Sequence, residues 1–188
     1  SSLHERASDR TAEAMLKIED QLGYKVDIVV MVQGDEPMTT PGMISQSLAP
    51  FSSKNNINIV NLMLDIDTDD EFEDPNEVKV VVDKNSDAIY FSREPIPSKK
   101  KGEIDGPMRK QVCVIPFRRN YLLRFNEMDE TPLEKIESVD MLRVIENGEK
   151  IKMIYSESPS FSVDTSKDLE NVIEKMKSDG LMQTYLQK

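Results

Sequence analysis

The sequence is poor in the residues that build covalent frameworks and many catalytic centres. Its 188 residues include one cysteine, Cys113, and one histidine, His4. A single cysteine excludes an internal disulfide, so a reducing compartment such as the cytoplasm is the simplest location. A single histidine without suitably spaced partners does not indicate a zinc site or a Ser–His–Asp arrangement. The chain also contains no Walker sequence and no GxGxxG sequence.

Long apolar runs and net positive charge are missing as well. No apolar run approaches the roughly 20 residues of a membrane helix, and no basic and apolar leader opens the sequence. The net charge of −11 argues against a nucleic-acid partner, but it is compatible with an anionic substrate bound with a metal and a few cations. The length and the 38% hydrophobic content predict one globular domain over residues 1–188.

Helical and strand-like segments alternate at both ends of the chain. Helices are predicted in SDRTAEAMLKIEDQLG, TTPGMISQSLAPF, RRNYLLRF, TPLEKIESVDMLRVIENG and VDTSKDLENVIEKMKSDG. Strands are predicted in VDIVVMV, INIVNLML, KQVCVIPF and KIKMIYS, and a hairpin in VKVVVD and AIYFS. The continuous apolar run of VDIVVMV is typical of a strand buried on both faces. We therefore expect a mostly parallel α/β sheet that carries an antiparallel insertion over about residues 78–130.

Cap residues indicate where three of the helices begin. The first helix is predicted to start at Ser8 or Asp9, and the second at Thr40 with the proline that follows it. Thr165 and Asp168 have the spacing of a capping box for the last helix. The apolar spacing also predicts that leucines 16 and 22 and isoleucine 136 face the core.

Two aspartates occur where a strand ends or a helix begins, Asp35 in VQGDEP and Asp164 in SVDTSKDL. In open α/β sheets, ligands bind beyond the carboxyl ends of the strands. Two carboxylates that meet there would suit Mg²⁺, which prefers carboxylate, water and phosphate oxygens. The alternative is that Asp35 is a turn residue and that Asp164 only precedes a helix cap.

Other polar features have an ordinary structural interpretation beside a functional one. The loop DIDTDDEFEDPNE resembles a calcium loop, but Asp70 and Asn76 stand where glycine and glutamate are needed, which favours a solvated loop. The lysines of PSKKKGEIDGP are most simply solvated, with anion binding as the minor alternative. Arg93 is either a surface residue or faces a carboxylate or phosphate. Cys113 lies in an apolar strand and is predicted to be a core residue rather than a nucleophile.

Several segments in series carry a family resemblance. HERASDRTAEA, VVMVQGDEP, DPNEVKVVVDKNSDAIYFSREPIP, LEKIESVDMLRVIENGEKI and SVDTSKDLENV occur in this order. With them the chain resembles the CMP-Kdo synthetases, or 3-deoxy-manno-octulosonate cytidylyltransferases, from about residue 4 to 177. The resemblance implies a nucleotidyltransferase α/β fold and a homodimer to which the antiparallel insertion contributes. It also implies a role in lipopolysaccharide biosynthesis.

The family's reaction joins CTP and a sugar acid to give a CMP-sugar and pyrophosphate, with Mg²⁺ neutralising charge on the triphosphate. By this resemblance Asp35 and Asp164 are the metal-binding and catalytic aspartates. Residues implied near the nucleotide are Gln33, Arg10 and Ala7, and those implied on the sugar side are Arg93, Gln111, Asp140 and Met141. Gly34 is interpreted as allowing close backbone approach.

The chain departs from the family in the nucleotide region. The family's HxSGTDR is HERASDR here, with Arg6 in place of serine and Ala7 in place of glycine, so contacts to the base are expected to differ. The family's opening strand and its loop of Arg and Lys residues, which grip the CTP phosphates, precede the first residue of this sequence. We therefore expect these 188 residues to be inactive alone.

The sugar side departs as well. In KQVCVIPFR, Gln111 replaces histidine, Cys113 replaces glycine and Ile115 replaces tyrosine; in ESVDMLR, Asp140 replaces glutamate and Met141 replaces glutamine. Because hydrogen-bonding groups are lost or shortened, the preferred sugar acid is expected to be Kdo or a related ulosonate, less hydroxylated or carrying an amino or N-acyl group. Two alternatives stay open: a nucleotidyltransferase for another sugar, and a non-catalytic relative that binds or dimerises.

Overall fold

The computed structural model describes residues 4, 6–52, 57–102 and 106–186. Within these ranges the helices are α1 (Ala7–Leu22), α2 (Pro41–Leu48), α3 (Asp69–Glu73), α4 (Arg119–Glu127), α5 (Pro132–Glu137), α6 (Leu142–Glu146), α7 (Ser166–Lys177) and α8 (Gly180–Leu186). The strands are β1 (Ile28–Val32), β2 (Val60–Asp65), β3 (Lys79–Val82), β4 (Ala88–Ser92), β5 (Arg109–Val112), β6 (Val114–Arg118) and β7 (Lys152–Tyr155). A short 3₁₀ turn, Ala49–Ser52, follows α2.

The strands form a five-stranded sheet in the order β4–β3–β5–β2–β7 and a two-stranded sheet of β1 and β6. β2 and β7 pair in parallel, whereas the other pairings of the described strands are antiparallel. The architecture is therefore a mixed α/β sheet with a larger antiparallel share than the sequence indicated. The expected antiparallel segment is present, because β3, β4 and β5 pair in this way.

The first strand differs from its prediction. β1 pairs antiparallel with β6, with Met31 opposite Ile115, and of its five residues only Met31 is buried. Val32 is exposed at the strand's carboxyl end. The apolar run correctly predicts a strand, but burial on both faces is wrong for the described part of the chain.

The beginning of α1 also differs from its prediction. The helix starts at Ala7, and Arg6 is the N-cap without a capping side-chain hydrogen bond, so neither Ser8 nor Asp9 is the cap. Its end is as predicted, since Gly23 takes a left-handed conformation with a φ of 73° and donates its N–H to a helical carbonyl. Arg6 has extended backbone angles and precedes the first helical residue. Its side chain is therefore free to contact elements other than α1.

Three residues that were predicted to face the core are exposed. Leu16 and Leu22 are 44% and 48% exposed, and Ile136 is 76% exposed. The buried residues of α1 are Ser8, Ala12, Met15 and Glu19, so only part of the predicted apolar face packs. The apolar spacing correctly predicted helices in these segments, but some of their apolar side chains lie outside the face that contacts the core.

Two predicted elements are each broken in two. The strand KQVCVIPF is divided into β5 and β6 at Cys113. The helix TPLEKIESVDMLRVIENG is divided into α5 and α6 by a turn in which Ser138 has a φ of 52°. A residue with positive φ stops the helical path, so Asp140 and Met141 lie in a turn rather than on a helix.

The predicted helix caps at Thr40 and Thr165 are both present, each with its hydroxyl accepting a backbone N–H. The main core lies between the sheets and α1, α4 and α6, and it includes Met31, Ile59, Phe91, Phe117, Leu122, Phe125, Leu142 and Met153. No helix of the described ranges combines the length and the apolar character required to cross a membrane.

Candidate active site

The segment that follows β1 turns sharply and lies against the break between β5 and β6. The N–H of Gln33 donates to the carbonyl of Cys113 at 3.2 Å, and the N–H of Glu36 donates to the carbonyl of Gln33 at 3.2 Å. An added Cβ at Gly34 would meet no described atom within 4 Å. The space beside Gly34 is therefore open, which suits close approach of a ligand to the backbone.

Asp35 and Asp164 are brought to the same place by a backbone hydrogen bond. The N–H of Val163 donates to the carbonyl of Asp35 at 2.9 Å. Burial raises the pKa of Asp164 above its ordinary value, and the nearby charge of Asp35 acts in the same direction. The buried Oδ1 of Asp35 has no hydrogen-bond partner among the described residues. Such an atom next to a second carboxylate is suited to a cation.

Glu36 is a third carboxylate here, but it is used by the protein itself. One oxygen accepts the N–H of Cys113 at 2.9 Å, and the other accepts the hydroxyl of Ser160 at 2.6 Å. Glu36 is buried, and burial raises its pKa. Its two hydrogen bonds join the end of β1, the break between β5 and β6 and the loop that leads to Asp164.

A chamber of about 120 Å³ surrounds this group, and we call it the acidic chamber. Its lining residues include Gln33, Asp35, Glu36, Glu77, Arg93, Lys110, Gln111, Cys113 and Asp164. Four of these residues are carboxylates and two are cations. Lys110 is paired with Glu71 at 2.6 Å and Glu77 at 3.0 Å, so it does not neutralise Asp35 and Asp164.

A second chamber, of about 320 Å³, shares Gln33, Val78, Arg93, Gln111 and Cys113 with the first. It is also lined by Arg6, Ala7, Arg10, Met31, Ile115, Ser138, Val139, Asp140 and Met141. We call it the arginine chamber, because three arginines and one carboxylate line it. The two chambers therefore differ in sign, the first negative and the second positive.

All nine residues that the sequence proposed for the site line these two chambers. Asp35 and Asp164 lie in the acidic chamber. Ala7, Arg10, Asp140 and Met141 lie in the arginine chamber, and Gln33, Arg93 and Gln111 lie between the two. The lone histidine, His4, is hydrogen-bonded to Glu13 at 2.7 Å and lines neither chamber.

Arg93 lies at the boundary of the two chambers, and its guanidinium donates to backbone carbonyls. Its Nε donates to the carbonyl of Glu137 at 2.8 Å, and one terminal nitrogen donates to the carbonyl of Pro75 at 2.8 Å. The other terminal nitrogen reaches the carbonyl of Ser138 at 3.4 Å. Arg93 thus faces backbone carbonyls rather than a carboxylate. It fixes the turn after α5 against the DPNE loop, and it borders both chambers.

Gln111 is also partly engaged within the protein. Its side-chain nitrogen donates to Oδ1 of Asn61 at 2.5 Å, and Asn61 in turn donates to the carbonyls of Leu62 and Val112. Asn61 is buried, so this amide pair is part of the sheet's interior. Gln111 is held in place at the boundary of the two chambers.

Cys113 does not lie inside a strand as predicted. It forms the break between β5 and β6, is half-buried and lines both chambers. Burial raises the pKa of its thiol well above the ordinary value, and the charges of Glu36 and Asp35 act in the same direction. A neutral thiol is a poor nucleophile, so its interpretation as a non-nucleophile agrees with this environment.

Glu36 and Lys110 are residues at the site that the sequence did not identify. Arg6, which the sequence analysis places near the nucleotide, donates from Nη1 to Asp140 at 2.7 Å. Glu36 is adjacent to Asp35 in VQGDEP, which was the available signal for it. Nothing in the sequence identified Lys110 as a site residue, because a lysine in an apolar strand does not indicate which side chains it contacts.

The structure describes most of two other polar loops. No group of three or more potential metal ligands of the His, Cys, Asp and Glu types occurs among the described residues, the DIDTDDEFEDPNE loop included. Lys99 pairs with Asp69 at 2.5 Å and lies 4.2 Å from the ring centre of Phe72, so the prediction of a solvated side chain is wrong for Lys99. At the acidic chamber, Asp35 and Asp164 are two carboxylates without a third such ligand among the described residues. This suits Mg²⁺, which usually keeps waters and phosphate oxygens in its coordination shell.

The chain is similar to several known proteins. The cytidylyltransferase family matches residues 1–151. The 3-deoxy-manno-octulosonate cytidylyltransferase of Geobacter metallireducens is 39% identical over 94% of this chain and 71% of the relative. That of Flavobacterium johnsoniae is 38% identical over 89% of this chain and 67% of the relative.

Two solved structures have a similar fold. The structure of CMP:2-keto-3-deoxy-manno-octonic acid synthetase complexed with CTP has a TM-score of 0.80 and 32% identity, over 93% of this chain and 69% of that one. A glucose-1-phosphate thymidylyltransferase from Bacillus anthracis has a TM-score of 0.53 at 14% identity and supports the fold alone. The predicted nucleotidyltransferase-like fold is therefore confirmed, and the chain belongs to the 3-deoxy-manno-octulosonate cytidylyltransferase family.

Proposed function

We propose that the protein transfers the cytidylyl group of CTP to a 3-deoxy ulosonic acid, Kdo or a close relative, with Mg²⁺ and with release of pyrophosphate. The observation that carries the proposal is the pairing of Asp35 and Asp164 in the acidic chamber, directly beside a chamber lined by three arginines. Both substrates are anionic, so a site of opposed charges can bind them and hold a cation between them.

Asp35 and Asp164 are the residues that would hold the metal. When bound, Mg²⁺ neutralises charge on the triphosphate and thereby favours attack at the α-phosphorus. The unpartnered oxygen of Asp35 and the open space beside Gly34 fit a metal that keeps phosphate oxygens among its ligands.

The arginine chamber would bind the sugar acid and part of the nucleotide. By the family resemblance, Arg10 and Gln33 would contact the nucleotide, and Gln111, Asp140 and Met141 would contact the sugar. The anomeric hydroxyl of the sugar attacks the α-phosphorus and loses its proton to solvent. A new O–P bond forms as the bond from the α-phosphorus to the oxygen that bridges to the β-phosphate breaks, and pyrophosphate leaves. The protein contributes mainly by positioning the two substrates, because the anomeric hydroxyl and the α-phosphate react directly with each other.

The test is pyrophosphate release by the full gene product with CTP, Mg²⁺ and a panel of 3-deoxy ulosonic acids. Asp35→Asn and Asp164→Asn should each lower turnover by at least about 100-fold, since loss of even an outer partner of a metal ligand typically costs 10–100-fold. Asp70→Asn is the matched control, because Asp70 is exposed and lines neither chamber.

Full Mg²⁺-dependent turnover by Asp35→Asn would refute the role of Asp35. Silence of the folded wild type with every sugar, without binding of CTP, would favour the alternative of a non-catalytic relative. Silence with CTP binding retained would instead point to a different sugar substrate.

We also propose that the protein is a cytoplasmic homodimer that associates through the antiparallel segment of residues 78–130. β4 is an edge strand of the five-stranded sheet and exposes Ile89, which supports a contact there. Light scattering should give the mass of a dimer for the wild type and of a monomer for Ile89→Lys.

A further inference from the structure

Lys110 is a buried cation at the boundary between the acidic chamber and a larger neighbouring cavity. It lies in β5, and only 6% of its side chain is exposed. Its Nζ pairs with Glu71 at 2.6 Å and with Glu77 at 3.0 Å. The larger cavity, of about 500 Å³, is lined by all three residues, whereas Glu71 does not line the acidic chamber. Glu71 therefore draws the ammonium group toward the larger cavity.

Both glutamates are held in place by hydrogen bonds that involve the backbone. The second carboxylate oxygen of Glu71 accepts the N–H of Asp67 at 3.0 Å. The carbonyl of Glu77 accepts a hydrogen bond from Nζ of Lys79 at 2.7 Å, and Lys79 is fully buried. Lys79 also donates to the carbonyl of Asp74 at 2.7 Å, so the loop that carries Glu77 is fixed to β3. The protein itself therefore fixes the two counter-charges of the buried ammonium group.

The side chain of Lys110 keeps its charge in this environment. Burial alone would lower the pKa of Lys110, but the charges of Glu77 and Glu71 outweigh burial and raise the pKa above its ordinary value. Burial raises the pKa of Glu77, and the charge of Lys110 acts in the opposite direction. The buried group therefore contains a permanent cation whose position decides which carboxylates it neutralises.

The acidic chamber offers other carboxylates to the same ammonium group. Asp35 and Asp164 line this chamber of about 120 Å³ together with Lys110, but Lys110 forms its ion pairs with the two glutamates instead. Burial raises the pKa of Glu36, which also lines the chamber, and the charge of Lys110 acts against this effect. The field of the ammonium group therefore reaches the carboxylates of the chamber.

We propose that Glu71 and Glu77 hold Lys110 away from the aspartates of the acidic chamber and thereby keep these aspartates available to a divalent cation. The two glutamates are positioning residues, because they act on the metal site through Lys110. Without them, the ammonium group pairs with Asp35 and Asp164 and competes with the divalent cation for the same oxygens. This inference rests on the proposed function, because it takes the two aspartates as the metal site.

The test measures the binding of Mn²⁺ alone to the full gene product, from the loss of the electron paramagnetic resonance signal of the free ion. The double variant Glu71→Gln with Glu77→Gln keeps the size of both side chains and removes both counter-charges. Its dissociation constant for Mn²⁺ should rise by at least about tenfold, because the released ammonium group then competes for the aspartates. Glu77→Gln alone should give a smaller rise, because Glu71 still pairs with Lys110.

Removal of the lysine distinguishes competition from a merely structural role. Lys110→Met added to the double variant should return the dissociation constant to within about threefold of the wild type, because no competing cation remains. A structural role predicts the opposite, since a third change in the same buried group would weaken binding further. Lys110→Met alone should bind Mn²⁺ at least as tightly as the wild type. Lys110→Gln takes its place if melting curves show that Lys110→Met is unfolded.

The matched control removes two carboxylates from ion pairs elsewhere in the protein. Glu149 pairs with Arg124 and Glu174 pairs with Lys177, and neither glutamate lines the acidic chamber. The double variant Glu149→Gln with Glu174→Gln makes the same change in net charge. It should alter the dissociation constant for Mn²⁺ by less than about twofold, because salt screens distant charges at the surface.

The outcomes separate this inference from the proposed function. Unchanged Mn²⁺ binding in the double variant of Glu71 and Glu77, or a triple variant that binds no better than the double variant, overturns the inference and leaves the reaction standing. Rescue by Lys110→Met in a protein that releases no pyrophosphate supports the inference and overturns the proposed reaction. Mn²⁺ binding that is absent from the wild type, or that Asp35→Asn does not weaken, overturns the inference as well, because the aspartates are then not the metal site.

Discussion

The N–H of Val163 donates to the carbonyl of Asp35 across 2.9 Å, and this one bond joins the two motifs that carry the site's aspartates. It holds the loop that follows β7 against the turn that follows β1. The side chain of Asp35 is thereby left for a ligand, because its backbone, and not its carboxylate, makes the structural contact. Since Asp164 follows Val163 directly, the same bond positions both carboxylates.

Glu36 should be essential for the stability of this arrangement. Glu36→Ala leaves the N–H of Cys113 and the hydroxyl of Ser160 without their acceptor, and we expect the free energy of unfolding to fall by about 2–4 kcal/mol. Ser160→Ala removes one of the two bonds and should cost about 1 kcal/mol. Urea unfolding measures both. Glu157→Ala, in the exposed part of the same loop, is the control and should change stability by less than about 0.5 kcal/mol. Equal effects of Glu36→Ala and Glu157→Ala would contradict the bracing role.

The elements that could be predicted from the sequence are those fixed by local contacts. The caps at Thr40 and Thr165 and the stop at Gly23 depend on residues within one turn of the helix, so their spacing was sufficient. The hairpin of β3 and β4 is equally local, with Asp83 accepting the N–H groups of Asn85 and Asp87 in its turn.

The breaks at Cys113 and Ser138 could not be predicted, because distant residues determine them. The N–H of Cys113 donates to the carboxylate of Glu36 rather than to a neighbouring strand. The guanidinium of Arg93 donates to the carbonyl of Ser138, in the turn after α5. Both breaks turn site residues toward the chambers. The motifs were therefore sufficient to name the site residues, but the pairing of Arg6 with Asp140 depends on the three-dimensional arrangement.

Glu134→Ala should be among the most destabilising substitutions near the site. Glu134 is fully buried and forms two hydrogen bonds with Arg143, at 2.5 and 2.8 Å. Its removal leaves the buried guanidinium of Arg143 without a counter-charge, so we expect a loss of about 3–5 kcal/mol in denaturant unfolding. The control is Glu174→Ala, which breaks the exposed pair with Lys177 and should cost less than about 1 kcal/mol. A loss for Glu134→Ala as small as that of the control would show that Arg143 finds other partners.

Cys113 should react slowly with iodoacetamide in the native protein near neutral pH. Burial raises the pKa of its thiol well above the ordinary value, so little thiolate is present. Labelling followed by mass spectrometry should be slow in buffer, faster in urea and faster again at high pH. Cys113→Ser provides the background. Rapid labelling of the native protein would mean that the thiol is more exposed and more acidic than this environment allows.

The pair of Glu19 and Arg119 predicts how stability depends on pH. Arg119 donates to both oxygens of Glu19, at 2.6 and 2.8 Å, and so ties α1 to α4. Hydrogen bonds from Arg119 lower the pKa of Glu19 below its ordinary value of 4.5. Because a lowered carboxyl pKa stabilises the folded state only while the group is ionised, this contribution is present above pH 4.5 and is lost as the pH falls through the lowered pKa.

The measurement is the melting temperature as a function of pH for the wild type and Glu19→Gln. The difference between the two proteins should be constant above pH 4.5 and should shrink as the pH falls below that value. Glu174→Gln, whose exposed carboxylate pairs with Lys177 across one helical turn, should follow the wild-type curve closely. A difference between wild type and Glu19→Gln that persists unchanged at the lowest pH would mean that the ionisation of Glu19 does not contribute, and that its hydrogen bonds act equally well when it is protonated.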